Sequence, residues 1–139
     1  MKQTRPPASA NPSIEQSLFE AFITAQRRPR YLALLSSPRG RKRILGRLAH
    51  CTDLDSSFAR RVAETNPEAI TGLLRKHGAA KKCYVMSESG ALDAQELDLE
   101  IAVSLTVGQG MGTLISCIPG ELAYYEGEEP GERYLLKRA

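Results

Sequence analysis

The pattern of the chain changes at Lys81-Lys82. Before this point, apolar residues recur at the three- and four-residue intervals of short helices, and Ser-Pro and Asn-Pro pairs mark helix starts. After it, short apolar runs are separated by turns that contain glycine and proline, which is typical of strands. A chain of 139 residues is long enough for a single buried core, so we expect one compact α+β unit.

The charge of the chain divides at nearly the same place. Residues 1–82 hold 16 of the 19 lysines and arginines and 6 of the 16 acidic residues, a net charge of +10. Residues 83–139 hold the other 3 basic and 10 acidic residues, a net charge of −7. A basic surface of this kind attracts an anionic partner, but charge alone does not identify that partner.

We expect residues 1–12 to form a flexible tail, because they combine prolines with small polar residues. Residues 13–80 form the predicted basic helical subdomain. Its first helix is expected to begin with a capping box at Ser13 and Gln16 and to end near Arg27 or Arg28, because Pro29 follows. Two further helices are predicted to start at Ser37-Pro38 and Asn66-Pro67, where a side-chain cap precedes a first-turn proline.

Phe58 and Val62 indicate a further short helix, opened by Asp55. Residues 81–139 form the predicted acidic α+β subdomain, with the order strand-helix-strand-strand-strand. Residues 83–86 read as the first strand, residues 87–97 as an acidic loop, and Asp98 as the cap of the single helix. A right-handed crossover through that helix makes the first two strands parallel, so we expect the N-terminal helices to pack on a small mixed sheet.

The helix from Pro38 to about His50 carries the candidate binding site. Its apolar residues group on one side, while Arg39, Arg43 and Arg47 follow each other at four-residue intervals on the other. Arg41 falls near the apolar side and is expected to bend outward along its aliphatic stem. The complete candidate site comprises Arg27, Arg28, Arg30, Arg39, Lys42, Arg43 and Arg47.

Three interpretations of this basic site remain open. Arginine forks match phosphate geometry, which favours nucleic acid, although no aromatic residues are interleaved to form a stacking platform for single strands. An acidic protein is the second candidate partner. In the third interpretation the basic residues are only a solvated helix face, or the protein is purely structural and its basic half docks on its own acidic half, through residues such as Glu88, Glu96, Glu126 or Glu128.

Signals for catalysis are few. Cys51, Cys83 and Cys117 form no CxxC motif, and we expect reduced thiols in a cytoplasmic protein. An enzyme that uses Cys117, near a strand end, or the acidic loop 88–100 remains an alternative. The glycines of residues 108–112 follow a helix, whereas a phosphate cradle precedes one. We therefore predict no catalytic residue, no metal site and no cofactor.

Neither a membrane span nor an export signal is expected. The apolar runs are shorter than a bilayer requires, and the first thirteen residues are polar.

Four segments carry a resemblance to a known group of proteins. They are SSPRGRKRILGRLAHC at 36–51, CYVMSES at 83–89, GMGTLISCIPGELAYYEGE at 110–128 and ERYLLKR at 132–138. Together they cover much of the chain, which resembles small bacterial proteins to which no activity is assigned. The resemblance implies a bacterial protein with a single module, and it carries over no ligand and no catalytic residue.

Overall fold

The computed structural model describes residues 10–138 and confirms the predicted α+β class. Five α-helices lie within these residues: α1 (Pro12–Phe22), α2 (Arg28–Leu35), α3 (Pro38–Arg47), α4 (Pro67–Lys76) and α5 (Leu99–Thr106). Six strands form one sheet: β1 (Ala59–Arg61), β2 (Lys82–Ser87), β3 (Gln95–Asp98), β4 (Thr113–Ile118), β5 (Leu122–Glu126) and β6 (Arg133–Lys137). Short 3-10 helices follow α3 at Leu48–His50 and precede β1 at Ser56–Phe58.

The sheet has the strand order β1-β6-β5-β4-β2-β3, and every pairing in it is antiparallel. The prediction of a mixed sheet was therefore wrong. The error arose at the acidic segment 87–97, which was predicted to be entirely loop. Its last residues begin β3, which pairs back on β2 and reverses the chain before α5, so β4 returns antiparallel to β2.

Helices cover both faces of the sheet. Side chains of a strand alternate between its two faces, and β2 shows the division: Tyr84 and Met86 pack with α1–α3, whereas Cys83 and Val85 pack with α4 and α5. The basic helices α2 and α3 thus lie on the opposite side of the sheet from α4. Within residues 10–138, no helix is both long and apolar enough to cross a membrane.

The N-terminal helix differs from its prediction at both ends. Asn11, not Ser13, caps α1, because its side-chain oxygen accepts a hydrogen bond from the amide of Ile14 at 3.2 Å. The helix ends at Phe22, where Ile23 becomes extended and bridges to Leu54. Pro29 then lies in the first turn of α2, where its missing amide costs no helical hydrogen bond.

Two other local predictions were wrong in part. The predicted helix around Phe58 and Val62 is a single 3-10 turn, capped by Asp55 as expected, which leads into β1. The segment predicted to be helical throughout thus contributes an edge strand that pairs with β6. Asp98 precedes α5 without a side-chain capping bond and contacts Lys82 at 3.1 Å instead. Of the predicted tail, residues 1–9 lie outside the described residues.

Candidate functional site

Helix α3 presents basic residues to solvent because its opposite side is buried. Ser37 caps the helix as predicted, accepting a hydrogen bond from the amide of Gly40 at 3.0 Å, and Pro38 follows in the first turn. Ile44 and the following Leu48 are fully buried. The helical period therefore turns Arg39, Arg43 and Arg47 outward, and all three are exposed.

The predicted binding residues lie on α2, on α3 and in the turn before α2. We call them the basic face: Arg27, Arg28, Arg30, Arg39, Lys42, Arg43 and Arg47. Six of them are exposed. Arg28 is half-buried, and its Nε donates to the carbonyl of Ile23 at 3.1 Å. Between Glu20 and Asp53 the chain has no acidic residue, so nothing local compensates this charge.

Asp53 is the acidic residue that joins the two ends of the basic face. Its carboxylate lies 3.8 Å from Arg27 Nε and 4.0 Å from Arg47 Nη1, and it accepts a hydrogen bond from the hydroxyl of Tyr31 at 2.6 Å. Arg27 and Arg47 are separated by 20 positions, and Asp53 brings them together. Burial, followed by the hydrogen bond to Asp53, raises the pKa of Tyr31, so its hydroxyl remains a donor.

Five residues of the basic face have no acidic partner among the described residues: the half-buried Arg28 and four that are exposed. Arg30, Arg39, Lys42 and Arg43 form no ion pair within 4.0 Å with any described residue. Three of the four acidic residues proposed for internal docking have other contacts, and the fourth, exposed Glu96, forms no ion pair with any described residue. Glu126 is buried and binds Arg133, Glu88 accepts from the amide of Gly112, and Glu128 contacts His50. These contacts do not join the acidic half to the basic face.

Arg41 is buried, so the prediction that it bends outward was wrong. Its Nη2 lies 2.7 Å from a carboxylate oxygen of Glu15, and its Nη1 lies 2.7 Å from Asp93. All three side chains are at most 8 % exposed. Burial alone lowers the pKa of Arg41, but the hydrogen bonds to Asp93 and Glu15 outweigh it and raise the pKa. Arg41, on α3, is therefore charged, and its ion pairs connect α3 to α1 and to the β2–β3 connection.

A polar shell completes the Glu15–Arg41–Asp93 network. The hydroxyl of Tyr84 donates to Glu15, and the amide of Ser87 donates to Asp93 at 3.2 Å. Burial and the bond to Glu15 raise the pKa of Tyr84. The buried charges are thus hydrogen-bonded by groups from α1, α3, β2 and the β2–β3 connection, as a buried ion cluster requires. Glu15 and Arg41 also line a groove of about 360 Å³ between α1 and the α2–α3 turn.

His50 faces the acidic hairpin between β5 and β6 and lies outside the basic face. Its ring nitrogens lie 3.1 Å from Glu128 and 3.3 Å from Glu132. The pKa of His50 is raised, with the hydrogen bond to Glu132 as the largest cause. A carboxylate oxygen of Glu129 also lies near His50 and Glu128. These three residues are the one group of potential metal ligands found among the described residues. The members are exposed, and ion pairing accounts for the arrangement.

The cysteines lack the surroundings of a nucleophile. Cys117, the candidate nucleophile near a strand end, is 4 % exposed, and burial raises its pKa. Burial also raises the pKa of Cys83 to about 12 and that of Cys51. Within the described part of the chain, no hydrogen bond links His50 or His77 to a cysteine. A nucleophilic thiol needs a base or a lowered pKa, and this arrangement supplies neither.

The acidic loop 88–100 likewise does not converge on a site. Asp93 is engaged by Arg41, Asp98 by Lys82, and Glu100 lies 3.9 Å from Arg75. These three carboxylates therefore contact separate basic residues instead of surrounding one ligand.

Comparison of the chain with protein-family models, curated proteins and solved structures finds no match. The resemblance to small bacterial proteins therefore stays a prediction.

Proposed function

We propose that this protein is a binding module without catalytic activity and that its basic face engages nucleic acid. The observation that carries the proposal is the group formed by Arg30, Arg39, Lys42 and Arg43. These side chains are exposed on α2 and α3 and form no ion pair with residues 10–138. Concentrated charge of one sign on a rigid surface raises the local concentration of an oppositely charged ligand.

Arginine binds phosphate and carboxylate groups with the same bidentate geometry, so the number and spacing of the charges decide between the two kinds of partner. Six of the seven are arginines, whose planar guanidinium groups can donate two parallel hydrogen bonds to a phosphate and stay charged at any physiological pH. A phosphate backbone also repeats its charge along its length, so several arginines can be engaged at once. An acidic protein must place several carboxylates in register to do the same. We place the activity in the cytoplasm, a proposal supported by three cysteines that are all free thiols.

Binding of this kind depends strongly on salt. Four phosphate contacts give a slope of about −3.6 in a plot of log K against log salt, because each contact releases a counterion. We expect the affinity for a fluorescent 30-base-pair DNA duplex, measured by anisotropy, to fall by about 100-fold between 50 and 200 mM salt. The triple variant Arg39→Gln/Lys42→Gln/Arg43→Gln is expected to bind the duplex at least 30-fold more weakly at 50 mM salt. Its plot of log K against log salt should have a slope shallower by about 3.

The control variant removes the same charge from the other side of the sheet. Arg75, Lys76 and Lys81 are exposed at the end of α4 and in the segment after it. Arg75→Gln/Lys76→Gln/Lys81→Gln should reduce the affinity by less than fivefold, because it changes net charge without changing the basic face. Equal losses in the two triple variants would show attraction by net charge alone. Binding of fluorescent polyglutamate in preference to DNA would identify an acidic protein as the partner.

A second variant is expected to raise the affinity. Asp53→Asn removes the carboxylate that holds Arg27 and Arg47, while its amide oxygen can still accept the hydrogen bond of Tyr31. Two further arginines then become available, so we expect binding about 3- to 10-fold tighter at 50 mM salt and a steeper salt dependence. Tyr31→Phe controls for the lost hydrogen bond and should leave the affinity unchanged. Weaker binding by the Asp53→Asn protein would mean that Asp53 positions the arginines productively.

A further inference from the structure

We infer that the nucleic acid bound by the basic face is a double helix, contacted through its phosphates and without reading of the bases. This inference rests on the proposed function and deepens it, since it specifies the form of the ligand. Three properties of the surface carry it: the exposure of the aromatic residues, the regularity of the arginine row and the composition of the exposed side of α3.

No aromatic side chain is available for stacking. The chain has three phenylalanines, five tyrosines and no tryptophan, and all eight lie within the described residues. Six are buried. The remaining two, Phe58 and Tyr134, are half-buried: Arg138 lies 4.0 Å over the ring of Phe58, and Tyr134 stacks on Tyr125. Proteins that bind single strands derive much of their affinity from bases stacked on exposed aromatic rings, and this surface has none to offer.

The arginine row suits a regular array of charges, with Arg39 and Arg43 unpaired within residues 10–138 and Arg47 in contact with Asp53. Arg39, Arg43 and Arg47 follow each other on α3 at intervals of four residues, which is about 6 Å along the helix axis. The helix that carries the row is held in place, because α3 is capped by Ser37 and anchored by fully buried Ile44. A duplex holds its phosphates at a constant repeat, whereas a single strand must first be ordered to meet a fixed row. Rigid complementarity therefore favours the duplex.

The exposed side of α3 also lacks the amide side chains that read adenine. Gly46 lies between the basic residues, and a Cβ atom added to it would have no neighbouring atom within 4 Å. No asparagine, glutamine, serine or threonine lies among the ten residues of the helix, although such side chains are the usual readers of adenine and supply many other base contacts. Arginine and lysine can also contact guanine, but a face whose polar groups are all cationic suits the phosphate backbone, which carries no sequence information.

The test compares three ligands on the full chain at 50 mM salt. They are a 24-base-pair DNA duplex, a duplex of the same composition with scrambled sequence, and a 24-residue strand of thymidine, each measured by anisotropy. We expect the two duplexes to bind within threefold of each other, and the single strand to bind at least tenfold more weakly. The triple variant Arg39→Gln/Lys42→Gln/Arg43→Gln should lose affinity for both duplexes equally.

The outcomes separate the two proposals. Equal or tighter binding of the single strand would overturn this inference and leave the proposed function intact. A difference above tenfold between the duplexes would also overturn it, because it would demonstrate base reading. Failure of every ligand to bind would overturn the proposed function itself.

A further variant tests the role of stacking directly. Gly46 is exposed on α3 between Arg43 and Arg47 and has open space beside it, so Gly46→Tyr places an aromatic ring among the arginines. We expect this substitution to tighten single-strand binding by about fivefold and to leave duplex binding unchanged. Unchanged single-strand affinity would show that the missing aromatic ring is not the reason for the preference, and would overturn that argument.

Discussion

Arg41→Met is expected to lower the free energy of unfolding by about 3–5 kcal/mol, because it leaves Glu15 and Asp93 buried without their cation. Methionine approximates the length of the arginine stem, so packing changes less than charge. Urea denaturation followed by circular dichroism measures the difference. Arg43→Met, two positions further along α3 on its exposed side, is the matched control and should change stability by less than about 0.5 kcal/mol.

A double variant separates charge from packing at this position. If unpaired buried carboxylate is the cause, Arg41→Met/Glu15→Gln should be more stable than Arg41→Met alone, because glutamine is neutral and can still accept the hydrogen bond from Tyr84. A double variant less stable than the single one would contradict the electrostatic explanation. So would an Arg41→Met protein that matches the Arg43→Met control.

Gly40→Ala is expected to destabilise the protein by about 3 kcal/mol, although alanine is the better helix former. A Cβ atom on Gly40 would lie 2.0 Å from the carbonyl oxygen of Leu34 and 2.8 Å from its Cα. These are backbone atoms of α2, so the clash is relieved only if the two helices move apart. The close approach of α2 and α3, which brings the two parts of the basic face together, therefore requires glycine here.

Gly46 is the matched control for this substitution, because it lies on the same helix with open space beside it. Gly46→Ala should raise the free energy of unfolding by about 0.5–1 kcal/mol, as expected where alanine replaces glycine on an exposed helix surface. The two substitutions are thus predicted to have opposite signs, and thermal unfolding of both proteins measures this. Stabilisation by both would show that α2 and α3 are not packed as closely as described.

The parts of the candidate site that could be predicted are those that depend on the helical period alone. Arg39, Arg43 and Arg47 share a face because they are four residues apart, and this holds wherever the helix packs. The position of Arg41 among apolar residues was visible, but its partners Glu15 and Asp93 lie 26 and 52 positions away. Asp53 was missed for the same reason, since its effect on Arg27 and Arg47 depends on the contact between two helices.

The sequence by itself determined where several elements begin. Ser37-Pro38 and Asn66-Pro67 start helices because the cap and the first-turn proline act within four residues, and both caps form as predicted. Tertiary structure alone decided the pairing of β3 with β2, the antiparallel sheet and the burial of Arg41. The physical reason is range: capping and periodicity act between near neighbours, whereas strand partners and buried ion pairs are selected by surfaces that meet only when the chain is folded.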